Sequence, residues 1–431
     1  MLARLICGLS AMAGVRKGTM VNCRSILEHT DAGAIRLKLT DQGMCTIRGI
    51  AALVVVLDHS IQIFLTRLTG AENLAARIAG WLATQAVAVF FIISGYLITQ
   101  SILKNLQRNA GQLNFIDYAS ARISRIYPPL IFAILASLLC YLALQMFGLP
   151  GADAPGAQPF GLPDDAYSAR DKFSIRISDI TNALLMNNGL LQVDGPLWSL
   201  CIEWRIYFIV AFLALSLTSR PVTLRLLGLV LCAALFVPIG ILNSNTYYFF
   251  LTWLAIWLMG SGIALAQAWR FRLNMAARRV LLLLLASAAA GMLIANPELV
   301  PHSTMTTPQE YAFQLVLSLL YLGFLFPLRE VEATAVRRAL MKLGDFSYTL
   351  YIVHFPLMLF LLSLTQGMVG YSIGLAILSA TVAVASILAI AHFSARYFER
   401  KDLIKPLVER ILTRVYWSLR AYGLRKAERG D

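Results

Sequence analysis

Ten times along the chain an apolar stretch of about twenty residues is followed by a polar or basic connector, and each is long enough to cross a hydrocarbon core of about 30 Å as a helix. The stretches are 48–66, 80–100, 127–147, 196–217, 222–241, 247–269, 279–295, 311–328, 346–363 and 372–393. A chain with this pattern must satisfy every backbone polar group inside the bilayer, so it folds as helices or as a closed barrel, and segments this long select helices. Composition agrees: 58% of the 431 residues are hydrophobic and 14% are charged, against about 25% charged in soluble domains. The expected class is all-α, a polytopic transmembrane helix bundle of about ten spans.

Lys and Arg set the expected orientation. With the N-terminus inside, the outer loops hold only Arg67, Arg77, Arg170, Lys172 and Arg176 of the 37 basic residues. That asymmetry follows the positive-inside rule and, with both ends basic, gives an N-in/C-in bundle. The net charge of +14 is explained this way without nucleic acid. The six cysteines, Cys7, Cys23, Cys45, Cys140, Cys201 and Cys232, have no metal-ligand spacing and give no disulfide framework. No cleavable signal peptide is recognisable; Leu5 to Met12 is apolar but short. Residues 1–46 read as a weakly ordered basic arm on the cytoplasmic side, 47–398 as the bundle and 399–431 as a basic tail. The tail carries Leu403, Ile404, Leu407, Val408, Ile411, Leu412, Val415, Tyr416 and Leu419 at helical spacing, which suits a helix lying on membrane lipids or, alternatively, docking on a partner. The outer segment 148–195 is rich in Gly, Pro and Asp and is either a lid or a connector, with a short interfacial helix expected within 180–191.

Ionisable residues inside spans are costly and mark functional candidates. Arg48 and His59 are eleven residues apart, so they share a helix face about 16 Å apart along the axis. Asp58 lies beside His59 on a different face. Glu203, four residues after Ser199 on the same face, sits in a span running the opposite way, at a depth similar to that of His59. A neutral His59 can take a proton from a hydroxyl, or it can be a structural histidine bonded between helices. Glu203 can serve chemistry or simply pair with Arg205 or a neighbouring cation. Arg122 and Arg125, with Arg48, form a basic pocket at the inner face suited to phosphates, or are lipid-facing cations. Ser94 and Gly95 read as packing residues. His354, just before Pro356, either makes a structural hydrogen bond or lines a substrate path; His392 reads as structural. No Walker loop, dinucleotide fingerprint or HExxH motif is present.

These pieces together resemble the membrane acyltransferase-3 family, the bacterial O-acyltransferases that modify surface sugars. The resemblance runs over about 44–400. It rests on Arg48 with His59, on Phe90-Phe91-Ile92-Ile93-Ser94-Gly95-Tyr96, on Arg122-Ile123-Ser124-Arg125-Ile126-Tyr127-Pro128, on Trp198-Ser199-Leu200-Cys201-Ile202-Glu203, and on Ser347-Tyr348-Thr349-Leu350-Tyr351-Ile352-Val353-His354. Many relatives have Gly-Val-Asp where this chain has Ala86-Val87-Ala88, and no esterase-like segment is recognisable after the bundle. The resemblance implies transfer of an acyl group, most often acetyl, from cytoplasmic acyl-CoA to a hydroxyl of a polysaccharide, glycolipid or related carbohydrate, at the bacterial inner membrane. It implies His59, Glu203 and Arg48 as catalytic residues, with His59 deprotonating the acceptor hydroxyl or carrying the acyl group itself, and Glu203 orienting or charge-balancing His59. Arg122, Arg125, Tyr127, Trp198, Ser199 and His354 would bind substrate or acyl-CoA. No tightly bound cofactor or metal is expected, and polysaccharide-synthesis machinery is a possible partner. Two other classes remain open at this point: a glycan transporter with a His59–Glu203 proton relay, and a non-catalytic subunit.

Overall fold

The computed structural model describes residues 34–36, 41–187, 190, 192–242, 244–269, 272–299, 307–325 and 334–429. Thirteen helices follow one another: α1 Asp41–Ser60, α2 Leu74–Arg108, α3 Phe115–Phe147, α4 Ile177–Leu184, α5 Leu197–Thr218, α6 Val222–Leu242, α7 Ser244–Ala268, α8 Met275–Ala295, α9 Pro308–Leu325, α10 Ala335–Asp345, α11 Ser347–Val369, α12 Ile373–Phe398 and α13 Lys401–Arg429. Each of the ten expected spans falls on a helix. Eight are both long and apolar enough to cross a membrane among the described residues. The two that fall short of the expected ten are α6, described as an apolar helix only over Val222–Phe236, and α9, whose expected continuation past 325 lies outside the described residues.

Local chemistry sets the helix ends. Asn73, Asn114 and Ser372 each cap a helix by accepting a backbone N–H of its first turn. Gly148 ends α3 in the left-handed region with φ 57°, where glycine carries no Cβ penalty. Immediately after His59 the first helix loosens into a π-helical segment, Ile61–Leu65, and then closes with Thr66–Thr69. Such widened turns interrupt the regular ladder and tend to sit at functional positions.

The centre of the bundle is α2 and α11. Helix α2 packs against α1, α5 and α7, and α11 packs against α1, α3 and α12. Two crossings bring backbones into contact. A Cβ on Gly95 would fall inside the Trp257 carbonyl, and one on Gly260 inside the Ile92 carbonyl; Thr99 donates to Ser261 at 2.7 Å beside that crossing. Gly49 of α1 and Gly344 of α10 face each other's helix backbone in the same manner. Small residues permit this approach, and in a bilayer such packing is what holds helices together. The expected packing role of Gly95 is what the structure shows. Outward, Leu283 and Leu284 of α8 and Leu375, Leu378 and Val382 of α12 are exposed, an apolar surface suited to lipid.

The described residues of segment 148–195 form a packed cap. Its Phe160 and Phe173 are buried, and Gly151, with φ 84°, lies against the Phe160 ring. Ser363 of α11 donates to the Pro150 carbonyl at 2.6 Å, and Gln366 joins the backbone of Pro159 and Gly161. The expected short helix is α4, starting three residues earlier than the sequence suggested. Of the expected arm 1–46, Ala34–Arg36 pairs antiparallel with Arg272–Asn274 and 41–46 belong to α1; the remainder lies outside the described residues. The expected tail helix is present as α13, packed on α3, with Leu403, Leu407, Ile411 and Val415 exposed.

Candidate active site

His59 and His354 meet. His59 Nδ1 lies 2.8 Å from His354 Nε2, and His354 Nδ1 lies 3.2 Å from the Leu350 carbonyl oxygen. The rings stack with centroids 5.0 Å apart. A carbonyl only accepts, so a neutral His354 carries its proton on Nδ1 and presents a lone pair at Nε2. His59 must then donate from Nδ1, which leaves its Nε2 unprotonated. The arrangement fixes the tautomer and aim of His59, as a third group does in a nucleophile–base–orienter chain. His354 is fully buried on α11, and the Phe355 ring stands edge-on to His59 at 5.2 Å. The partner expected for His59, Glu203, is elsewhere: the histidine is held by another histidine from a helix 295 residues away.

Glu203 faces a partly open cavity that also receives Arg48, Arg122, Arg125 and Ser199. The three arginines foreseen as one basic pocket therefore do converge. Glu203 Oε1 accepts from the Tyr207 hydroxyl at 2.5 Å, and Tyr207 bonds Ser94 at 2.9 Å. The residue that would have neutralised Glu203 in the structural reading, Arg205, makes no ion pair with it among the described residues; the carboxylate is set by a tyrosine one turn along its own helix. Arg48 donates to Ser347 Oγ at 3.0 Å. Arg122 donates to Ser101 at 3.4 Å and lies 5.7 Å over the Tyr118 ring. Phe90, Phe91, Leu97 and Ile126 supply the apolar wall. The cavity is apolar along its sides, with guanidinium groups among its polar lining, a combination suited to a ligand that joins an apolar part to an anionic group.

Tyr351 stands next to both the cavity and His354, whereas neither histidine lines the cavity. Tyr351 lines the cavity, bonds Ser199 at 2.7 Å, and its ring centre is 6.0 Å from that of His354. Its hydroxyl also donates to the Pro196 carbonyl at 3.2 Å. Three expected binding residues do not line this cavity: His354, which is hydrogen-bonded to His59, and Tyr127 and Trp198. Tyr127 donates to the Leu184 carbonyl at 2.9 Å and stands against Trp204, so it ties α4 to the bundle. Trp198 packs with Phe249 and Trp253 in an aromatic cluster. Asp58 is buried and bonded to Gln62 at 2.8 Å. Tyr207 and Tyr351 were missed in the sequence. The available signal was spacing: Tyr207 is one turn from Glu203, and Tyr351 is nearly one turn from His354.

The outer cap reaches the same centre. Arg170 lies 5.3 Å over the Phe355 ring and donates to the Gln192 carbonyl at 2.5 Å. Asp194, just before α5, is fully buried, and burial pushes its carboxyl well above the usual carboxylate range while the Arg170 cation opposes that rise. Among the described residues no three His, Cys, Asp or Glu side chains cluster to hold a metal ion.

The chain belongs to a class of multi-pass membrane acyltransferases. A family model described as an acyltransferase domain, that of the acyltransferase-3 family, matches residues 42–394, and the chain belongs to that family. No match was found among curated proteins or among solved structures.

Proposed function

We propose that the protein is a multi-pass O-acyltransferase of the bacterial inner membrane. It moves an acyl group, acetyl in the simplest case, from cytoplasmic acyl-CoA to a hydroxyl of a cell-envelope polysaccharide, glycolipid or related carbohydrate. The observation that carries this reading is the His59–His354 pair beside Tyr351, a residue that lines a cavity also receiving Arg48, Arg122 and Arg125. The arginines bind donor phosphates, and the apolar walls guide the thioester toward Tyr351. His59 Nε2 takes the proton of the acceptor hydroxyl as its oxygen attacks the thioester carbonyl. The carbon–sulfur bond then breaks, and the CoA thiolate leaves with the proton returned from the imidazolium. His354 holds His59 in the productive tautomer. Glu203 balances the arginines and positions Tyr207. The bilayer supplies lipid around the bundle, and assembly with polysaccharide-synthesis machinery would deliver the acceptor.

The test is turnover of labelled acetyl-CoA by the purified full chain in nanodiscs, with and without a crude envelope-glycan acceptor. Transfer or slow hydrolysis that is lost in His59→Ala supports the reading. Absence of both, together with glycan movement that depends on a proton gradient, would replace the enzyme with the transporter.

A further inference from the structure

A second cavity opens beside the first. It is an open groove lined by Lys104 and Arg108 of α2, both exposed, Asp117 and Tyr118 of α3, and Lys405 of α13. The two cavities share Leu97, and the Arg122–Ser101 hydrogen bond lies between them, since Arg122 lines the first and Ser101 the second. Arg122 Nε is buried without a hydrogen-bond partner at this junction.

The charges in this second cavity are unbalanced. Asp117 is its one carboxylate, and both of its oxygens are occupied. Lys405 Nζ donates to Oδ1 at 2.6 Å, and Asn105 Nδ2 donates to Oδ2 at 3.0 Å. Lys104 and Arg108 stand one helical turn apart on α2, on the same side of that helix. Neither makes an ion pair among the described residues. Lys405 arrives from outside the bundle: it lies on the tail helix, beyond residue 394 where the family match ends.

We propose that this cavity takes the phosphate-bearing nucleotide end of the acyl-CoA donor, with the tail helix closing its outer wall. The inference rests on the acyl-CoA reading above and divides the donor between two places. The thioester arm and diphosphate occupy the first cavity beside Arg48, Arg122 and Arg125. The 3′-phosphate of the adenosine end lies against Lys104 and Arg108, two cations without an ion pair among the described residues, with Lys405, held by Asp117, beside them. The same cations could instead hold an anionic lipid headgroup, and the experiment separates the two sources.

The test compares acetyl-CoA with acetyl-dephospho-CoA, which lacks only the 3′-phosphate, as donors for the full chain in nanodiscs. Wild type is expected to show a KM about tenfold higher for the dephospho donor, the size of one charge-assisted contact. In Lys104→Ala/Arg108→Ala the KM for acetyl-CoA rises to meet that of the dephospho donor, with kcat little changed. Lys405→Ala narrows the difference in the same direction, and Lys405→Arg preserves it. Equal KM for both donors in wild type, with robust turnover, removes the subsite and leaves the acyl-CoA reading standing. A variant that raises both KM values equally shows a merely structural role and overturns the proposal. So does a variant whose only effect is to abolish a difference between phosphatidylcholine and phosphatidylglycerol nanodiscs. Absence of turnover with either donor contradicts the acyl-CoA reading itself, and this subsite with it.

Discussion

In the proposed mechanism His59 acts as a base through the tautomer in which its other nitrogen is held. The Leu350 carbonyl makes His354 present a lone pair, and that lone pair draws the His59 proton to Nδ1. His59→Ala removes the proton acceptor and is expected to lower transfer by about 10²–10⁴-fold. His354→Ala leaves His59 free to rotate and to take the wrong tautomer, so the account predicts a loss of at least about 10²-fold in kcat with little change in KM for the donor. Equal kcat in His354→Ala and wild type would contradict the relay. At the cap, Asp194 gives a pH prediction. Its carboxyl is raised in the folded protein, whereas an unfolded aspartate titrates near about 4. The folded state therefore keeps a proton that the unfolded state releases, and stability falls as pH rises from about 4 toward the raised value. Asp194→Asn abolishes that fall. Thermal unfolding in detergent across the acidic to neutral range checks this: superimposable profiles for the two proteins would refute it.

The helices carry the geometry through contacts that no single segment announces. Gly95 and Gly260 allow α2 and α7 to touch backbone to backbone, and that crossing sits beside Ser94, which holds Tyr207 and hence Glu203. Gly260→Leu should cost about 1–3 kcal/mol or more by overpacking, whereas Gly262→Leu on the same helix meets open space and should be close to neutral. Melting temperatures in one detergent compare them directly. This scale also divides what was legible in the sequence from what was not. Arg48, His59, Glu203, Arg122 and Arg125 stood out because an ionisable group in or beside an apolar run is rare, and helical spacing placed their faces. Spacing does not say which helix lies opposite a face. The His59–His354 contact, the Tyr351 wall and the Lys405–Asp117 pair each join helices far apart in sequence, so none could be read from local pattern. Tyr127 and Trp198 show the converse: they sit within motifs that supply the site, yet their side chains serve packing and anchorage.

As a whole molecule, the bundle separates two kinds of chemistry. The cavities lined by Arg48, Arg122, Arg125, Lys104 and Lys405 collect cations near one end, and the 148–195 cap covers the other, with the histidine pair between. On the proposed N-in orientation the cationic end faces the cytoplasm. In intact cells, a membrane-impermeant maleimide should label a cysteine at Asp153→Cys and spare one at Arg108→Cys; the reverse pattern would invert the account. The most direct measurement of the central claim is the ester-linked acetyl content of envelope glycan in a strain deleted for this gene. The strain is complemented with wild type or His59→Ala at matched membrane abundance. The account predicts that wild type restores the ester and His59→Ala does not; equal restoration by both would make His59 a structural histidine and contradict the mechanism.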